Sequence, residues 1–169
     1  MPRLPLVNQE DHLIGYKEKS ACGPDDINRV AGLVVYNKQR EILIAKRVMT
    51  KQYDPGKWSY SVMGTVEEGE TYVTNILKEA EEEIGLILRA EVLQPNWYGY
   101  FESSHKFFYT QFTTEVNLPL EEFRRQADEV DELRWVPAAE LFARIESEPQ
   151  DFVQSMSRVT KLLRAGLGW

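Results

Sequence analysis

The chain has 169 residues, 27 acidic side chains against 20 basic ones and a formal charge of −7, with 43% hydrophobic and 28% charged residues. That composition is globular and rules out a disordered or fibrous chain. Scattered basic residues argue against a nucleic-acid partner, and no stretch approaches the roughly 18 apolar residues of a membrane span. With one cysteine, Cys22, no disulfide forms within the chain. We expect one soluble, cytoplasmic domain over residues 1–169, large enough to bury a core unaided.

After a polar opening segment, residues 30–36 (Val-Ala-Gly-Leu-Val-Val-Tyr) and 41–47 (Glu-Ile-Leu-Ile-Ala-Lys-Arg) predict two strands joined by a hairpin loop. Asp54-Pro55-Gly56 predicts a turn, because Pro presets φ and Gly accepts a positive φ. Residues 58–63 predict a strand leading into Gly64. Helical spacing puts Val73, Ile76, Leu77, Ala80 and Ile84 on one arc, which predicts a helix over 71–84 closed by Gly85. Strands are expected at 90–93, 97–101, 106–113 and 132–136, and helices at 137–145 and 151–165. The class is α/β (α+β), with helices packed on a mixed sheet.

Glu79, Glu82 and Glu83 stand at i, i+3 and i+4, so their carboxylates leave one side of the helix. Unaided, such like charges destabilise a helix by roughly 0.2–0.5 kcal/mol per pair, and they oppose the dipole near its C-terminus. A divalent cation removes both penalties, and hard oxygen ligands suit Mg²⁺ or Mn²⁺. A solvated acidic face is the ordinary explanation of a Glu-rich helix, and only the wider spacing outweighs it.

From Gly64 the residues run Gly64, Glu70, Lys78-Glu79-Ala80, Glu82-Glu83, Gly85-Leu86. This resembles the Nudix box, G-x5-E-x7-R-E-U-x-E-E-x-G-U with U aliphatic. Lys78 stands in place of Arg, and Ala80 is a small residue for U. The resemblance implies a Nudix-type α/β/α sandwich with a mixed β-sheet, a core over about residues 28–145 and a loop-helix-loop box over 64–86. It further implies Mg²⁺ or Mn²⁺ held by Glu79, Glu82, Glu83 and the backbone carbonyl of Gly64, with Glu70 and Lys78 supporting the ligands. Lys78 keeps the charge of Arg but loses its planar fork. The implied reaction is hydrolysis of the diphosphate in a nucleoside diphosphate linked to another moiety. Its general base is a carboxylate near the metal, for which Glu79 and Glu129 are candidates. A non-catalytic Nudix-like nucleotide-binding module is the competing class.

The similarity extends over about residues 6–145. Leu6-Val7-Asn8 with Glu10-Asp11, Ala45-Lys46-Arg47 and Pro55-Gly56-Lys57-Trp58-Ser59-Tyr60-Ser61 resemble the branch containing isopentenyl-diphosphate isomerase and its hydrolase-like cousins. The isomerase needs a cysteine and a histidine where this chain has Val62 and Thr65, so isomerase activity is not expected.

His12 and His105 read as isolated surface or hydrogen-bonded residues. Trp97, Tyr98, Tyr100, Phe101, Phe107, Phe108 and Tyr109 read mostly as core, with room for one exposed ring at a pocket rim. A homodimer is expected on frequency and family habit alone. Residues 64–86 hold seven Glu and one Lys, so six of the seven net negative charges fall there, pointing to cations and the phosphates they carry.

Overall fold

The computed structural model describes residues 1–102 and 105–169. Among the described residues, nine strands and three helices follow in the order β1 (Arg3–Val7), β2 (Leu13–Glu18), β3 (Ile27–Tyr36), β4 (Glu41–Arg47), β5 (Trp58–Tyr60), β6 (Val62–Thr65), α1 (Tyr72–Ile84), β7 (Gln94–Glu102), β8 (Lys106–Glu115), β9 (Val130–Pro137), α2 (Ala138–Ser147) and α3 (Met156–Leu167). No helix among the described residues is long and apolar enough to cross a membrane.

The centre of the main sheet is β3. It runs parallel to β8 along its whole length, from Ile27↔Lys106 to Tyr36↔Glu115, and its middle pairs antiparallel with β6, from Val30↔Thr65 to Leu33↔Val62. Its hairpin partner β4 meets it only at Tyr36↔Ile42 and otherwise pairs with β5 and β9. Outermost, β7 pairs antiparallel with β8.

Period-2 alternation sends side chains of one strand into two cores. Val34, Ile42 and Ile44 face α2 and α3. Leu33, Val35 and Leu43 lie in the second cluster with Ile76, Ala80 and Ile84 of α1. Helices therefore cover both faces of a mixed sheet, giving the expected three layers.

Two predicted strands need correction. The run expected over 58–63 is broken at Ser61, whose buried hydroxyl accepts the Val35 amide at 2.8 Å and donates to the Leu43 carbonyl at 2.7 Å. It fills the gap where β3 and β4 part, so β5 joins β4 and β6 joins β3. Residues 90–93 are not a strand: Ala90–Val92 form a 3-10 turn in which the Leu93 amide donates to the Ala90 carbonyl at 3.1 Å. Leu93 is buried but Val92 is exposed, so an apolar pair mimicked a strand.

The opening segment is structured as well. β1 and β2 form an antiparallel hairpin whose turn is held by Asn8 Oδ1, which accepts the amides of Glu10 and His12, while Asp11 takes a φ of 59°. The C-terminal helix starts later than residue 151. Pro149–Asp151 form a 3-10 turn, Phe152 bridges to Trp58, and α3 begins at Met156. The second predicted helix is shifted only slightly, to Ala138–Ser147.

Candidate active site

The predicted metal-binding segment folds as a loop leading into α1. Thr71 caps the helix: its hydroxyl accepts the Thr74 amide, and the Thr74 hydroxyl accepts the Thr71 amide in return. At the other end the amides of Gly85 and Leu86 donate to the carbonyls of Glu81 and Ala80, a Schellman closure with Gly85 at φ 68°. A side chain at Gly85 would also strike Arg124. Ala80, the small residue of the pattern, is fully buried against the sheet.

Burying Ile76, Ala80 and Ile84 sets the rotation of α1, so Asn75, Lys78 and Glu79 fall on the flank that meets β6. Contact there is close. A Cβ on Gly64 would overlap Glu79 Cγ and lie 2.7 Å from Asn75 Oδ1, so glycine is required by proximity rather than by φ.

Glu70 and Lys78 meet at the start of the site. Lys78 Nζ lies 2.7 Å from Glu70 Oε1, 3.5 Å from Glu67 Oε2 and 3.7 Å from Glu79 Oε1. Burial depresses the Lys78 ammonium, but Glu70, Glu79 and Glu67 outweigh it and raise its pKa. Burial likewise works to raise Glu70, yet Lys78, the backbone amide of Glu67 and Asn75 hold it below the ordinary range. Glu70 is therefore a fixed anion.

The carboxylates proposed as ligands behave differently. Glu79 is raised by burial and by the charges of Glu82, Glu70 and Glu67, against the opposing Lys78. Burial and the neighbouring Glu79 push Glu83 up to about 7, although Lys51, Arg47 and a hydrogen bond to the Met63 backbone pull it down. Glu82 is exposed. Among the described residues no three His, Cys, Asp or Glu side chains converge tightly enough to hold an ion as they stand. The donor set nevertheless suits a hard divalent cation: it is all oxygen, and it presses like charges into a partly dry site.

Glu129 reaches this end of α1 through the loop before β9. The Gln126 amide donates to the Glu83 carbonyl at 2.8 Å, the Glu129 amide to the Gln126 carbonyl at 3.0 Å, and the Val48 amide to the Glu129 carbonyl at 3.3 Å. Its carboxylate forms an ion pair with Lys51. Lys51 was not singled out from the sequence. Burial and the nearby Arg47 lower its pKa, while Glu83 and Glu79 raise it, so it stands within electrostatic reach of both. Arg47 is anchored by donating Nε and Nη2 to the Tyr53 carbonyl at 3.1 and 2.9 Å. The Asp54-Pro55-Gly56 turn forms as predicted, with Asp54 and Gly56 at positive φ. No local pattern marks Lys51, because its partners lie about 30 and 80 residues away.

Asn75 was also missed. It is fully buried and sits between Thr65, Glu70 and Glu79. Of the aromatic residues of β7 and β8, Tyr98 is the exposed ring, at 52%. It stacks on Phe108 and donates its hydroxyl to Asp11 at 2.8 Å. Asp11 also accepts from Tyr72 and pairs with Arg29 at 2.7 Å, which ties the β1–β2 turn to the first turn of α1. His12 is exposed, and His105 packs edge-on against Tyr53.

A helix carrying Glu79, Glu82 and Glu83, braced against a glycine on the strand beside the central β3 within an α/β/α sandwich, defines a class of hydrolase. The chain belongs to the Nudix family: the NUDIX domain model matches residues 26–161. It is 25% identical to an uncharacterized Nudix hydrolase of Yersinia pestis over 153 residues, 90% of this chain and 82% of that one. It is 24% identical to the prenyl-diphosphate phosphatase of Methanosarcina mazei over 168 residues, 95% of this chain and 94% of that one. The crystal structure of DR0079 from Deinococcus radiodurans superposes with a TM-score of 0.78 at 23% identity, covering 97% of this chain and 98% of the other. The protein is accordingly a hydrolase with a Nudix fold.

Proposed function

We propose that the protein hydrolyses a diphosphate bond in a nucleoside diphosphate linked to another moiety, using Mg²⁺ or Mn²⁺ held by Glu79, Glu82, Glu83 and the Gly64 carbonyl. The observation that carries this reading is the pairing of two strained carboxylates, Glu79 and Glu83, with a neighbouring anion, Glu70, that Lys78 has neutralised. Lys78 lies 2.7 Å from Glu70 but 3.7 Å from Glu79, and Glu83 stays raised despite Lys51 and Arg47. When bound, the metal ion would neutralise the diphosphate and make a coordinated water more acidic.

This chain's own residues supply the rest. Glu82, exposed on the next turn, is the ligand that must rotate inward. Glu79 and Glu129 are the carboxylates available to take a proton from water. Lys51 and Arg47 offer positive charge beside the cluster, where phosphate oxygens carry their negative charge.

A prenyl diphosphate is the second reading, favoured by the Methanosarcina mazei relative, which matches nearly the full length of both chains. Isomerisation of such a substrate is not proposed. Val62 and Thr65 offer neither thiol nor imidazole, and Cys22 directly follows the 3-10 turn Lys19–Ala21, outside the β6–α1 contact.

The test is incubation with Mg²⁺ and, separately, ADP-ribose, diadenosine tetraphosphate and isopentenyl diphosphate, following release of mononucleotide or phosphate. Turnover of a nucleotide is expected, with its loss in Glu82→Gln and Glu83→Gln while the fold is kept. Release from isopentenyl diphosphate alone favours the second reading. Undiminished activity in both variants overturns the metal assignment, and ligand binding without any release marks a binding module.

A further inference from the structure

Lys78 leaves one task undone. Its ammonium lies 3.7 Å from Glu79 Oε1, beyond hydrogen-bond range, so it attracts Glu79 without orienting it. On Glu70 it meets Oε1, at 2.7 Å. The other oxygen of Glu70 and the same oxygen of Glu79 are both met by Asn75: Nδ2 lies 2.9 Å from Glu70 Oε2 and 3.4 Å from Glu79 Oε1.

We infer that Asn75 is a positioning residue that completes, together with Lys78, the two-pronged donor a single arginine would present to Glu70 and Glu79. The inference rests on the metal-site reading above and deepens it.

Helical spacing makes the partnership possible. Asn75, Lys78 and Glu79 stand at i, i+3 and i+4, so their side chains share one face of α1. The amide orientation follows from its neighbours: the Thr65 carbonyl, 3.1 Å from Nδ2, and both carboxylates are acceptors, so the NH₂ end must face them. Oδ1 is then left buried with no hydrogen-bond partner, beside Gly64. Such an orphaned acceptor is unfavourable. An alanine would avoid that cost, so packing does not account for an amide here. A donor group set between both carboxylates does, because a guanidinium would span the pair by itself, whereas an ammonium is a point charge.

The test is calorimetric titration of Mn²⁺, without substrate, into the wild type, Asn75→Ala, Lys78→Arg and the double variant. Asn75→Ala is expected to weaken Mn²⁺ binding by about tenfold or more, as loss of a ligand-orienting partner does. In the Lys78→Arg background the Asn75→Ala change should cost little, so the double variant should recover most of the loss, since arginine restores the missing prong. Rescue is the decisive readout, because a packing defect at residue 75 would be indifferent to residue 78. Wild-type affinity in Asn75→Ala, or an equal loss in the Lys and Arg backgrounds, overturns the inference. If Asn75→Ala does not fold, Asn75→Ser takes its place in the same comparison. Mn²⁺ bound by the wild type and lost in Glu82→Gln, with the Asn75 variants unaffected, overturns the positioning role alone. No Mn²⁺ bound by the wild type overturns the metal reading and this inference with it.

Discussion

The Val35 amide donates to the hydroxyl of Ser61, 26 positions later, and that hydroxyl donates onward to the Leu43 carbonyl. Backbone groups of β3 and β4 that an unbroken hairpin would pair with each other are thus joined through a side chain. The opening between the strands admits β6, and β6 brings Gly64 under α1. Ser61→Ala removes both bonds and strands a buried donor and a buried acceptor, each costing about 1–3 kcal/mol. A loss of at least 2 kcal/mol is expected, on the order of the lower end of those two costs, read as a lower urea midpoint with an unchanged slope.

Gly64→Ala tests how closely α1 approaches β6. The new methyl group would collide with Glu79 Cγ and crowd Asn75 Oδ1, displacing the carboxylate. Misplacing a catalytic group by about 1 Å costs on the order of 10²-fold in rate, so a comparable fall in kcat is expected. The variant should stay folded in far-UV circular dichroism. Full turnover in Gly64→Ala would show that the helix can retreat without consequence.

Glu83 makes the metal-free protein sensitive to pH. Its folded pKa, about 7, lies above the ordinary carboxylate value of about 4.3. Between those two values the folded state binds more protons than the unfolded one. Stability therefore falls as pH rises through this window, the reverse of a salt-bridged carboxylate. In chelator, the melting temperature at pH 5.5 should exceed that at pH 8. Saturating Mg²⁺ should remove or invert the difference, because the ion stabilises the ionised form. An unchanged profile with and without Mg²⁺ would contradict a cation at Glu83.

Lys51 holds Glu129 and stands within reach of Glu79 and Glu83, in a partly exposed ion pair of the kind that contributes about 1 kcal/mol or less to stability. Lys51→Ala is expected to change the melting temperature little. Its effect should fall on substrate: KM for a diphosphate should rise by about 10- to 150-fold, the loss of one charge-assisted contact worth about 1.5–3 kcal/mol. A fall in kcat with KM unchanged would instead assign Lys51 to orienting Glu129.

Much of the fold is legible along the chain because it repeats at a local period. Alternation marks β3 and β4, and helical spacing marks α1 and orients its buried side. The turn residues at 54–56 and Gly85 carry their own conformational requirements. Where the signal was weak, the periods misled. Val92-Leu93 looked like a strand but forms a 3-10 turn, and the β1–β2 hairpin was passed over because most of β2 is exposed.

The sequence by itself determined that this chain carries a Nudix box, that its negative charge is concentrated there, and that Glu79, Glu82 and Glu83 leave one side of one helix. Those are properties of spacing, and spacing is local. Tertiary structure decided which of these carboxylates are strained and which are satisfied. Burial raises Glu79 and Glu83, whereas Lys78 neutralises Glu70 and Asn75 donates a hydrogen bond to it. It decided that Lys51 and Glu129, 78 positions apart, form a pair at the end of the same helix. Desolvation and charge contact depend on what packs alongside, and residues distant in sequence become neighbours only when the sheet and its loops close around α1.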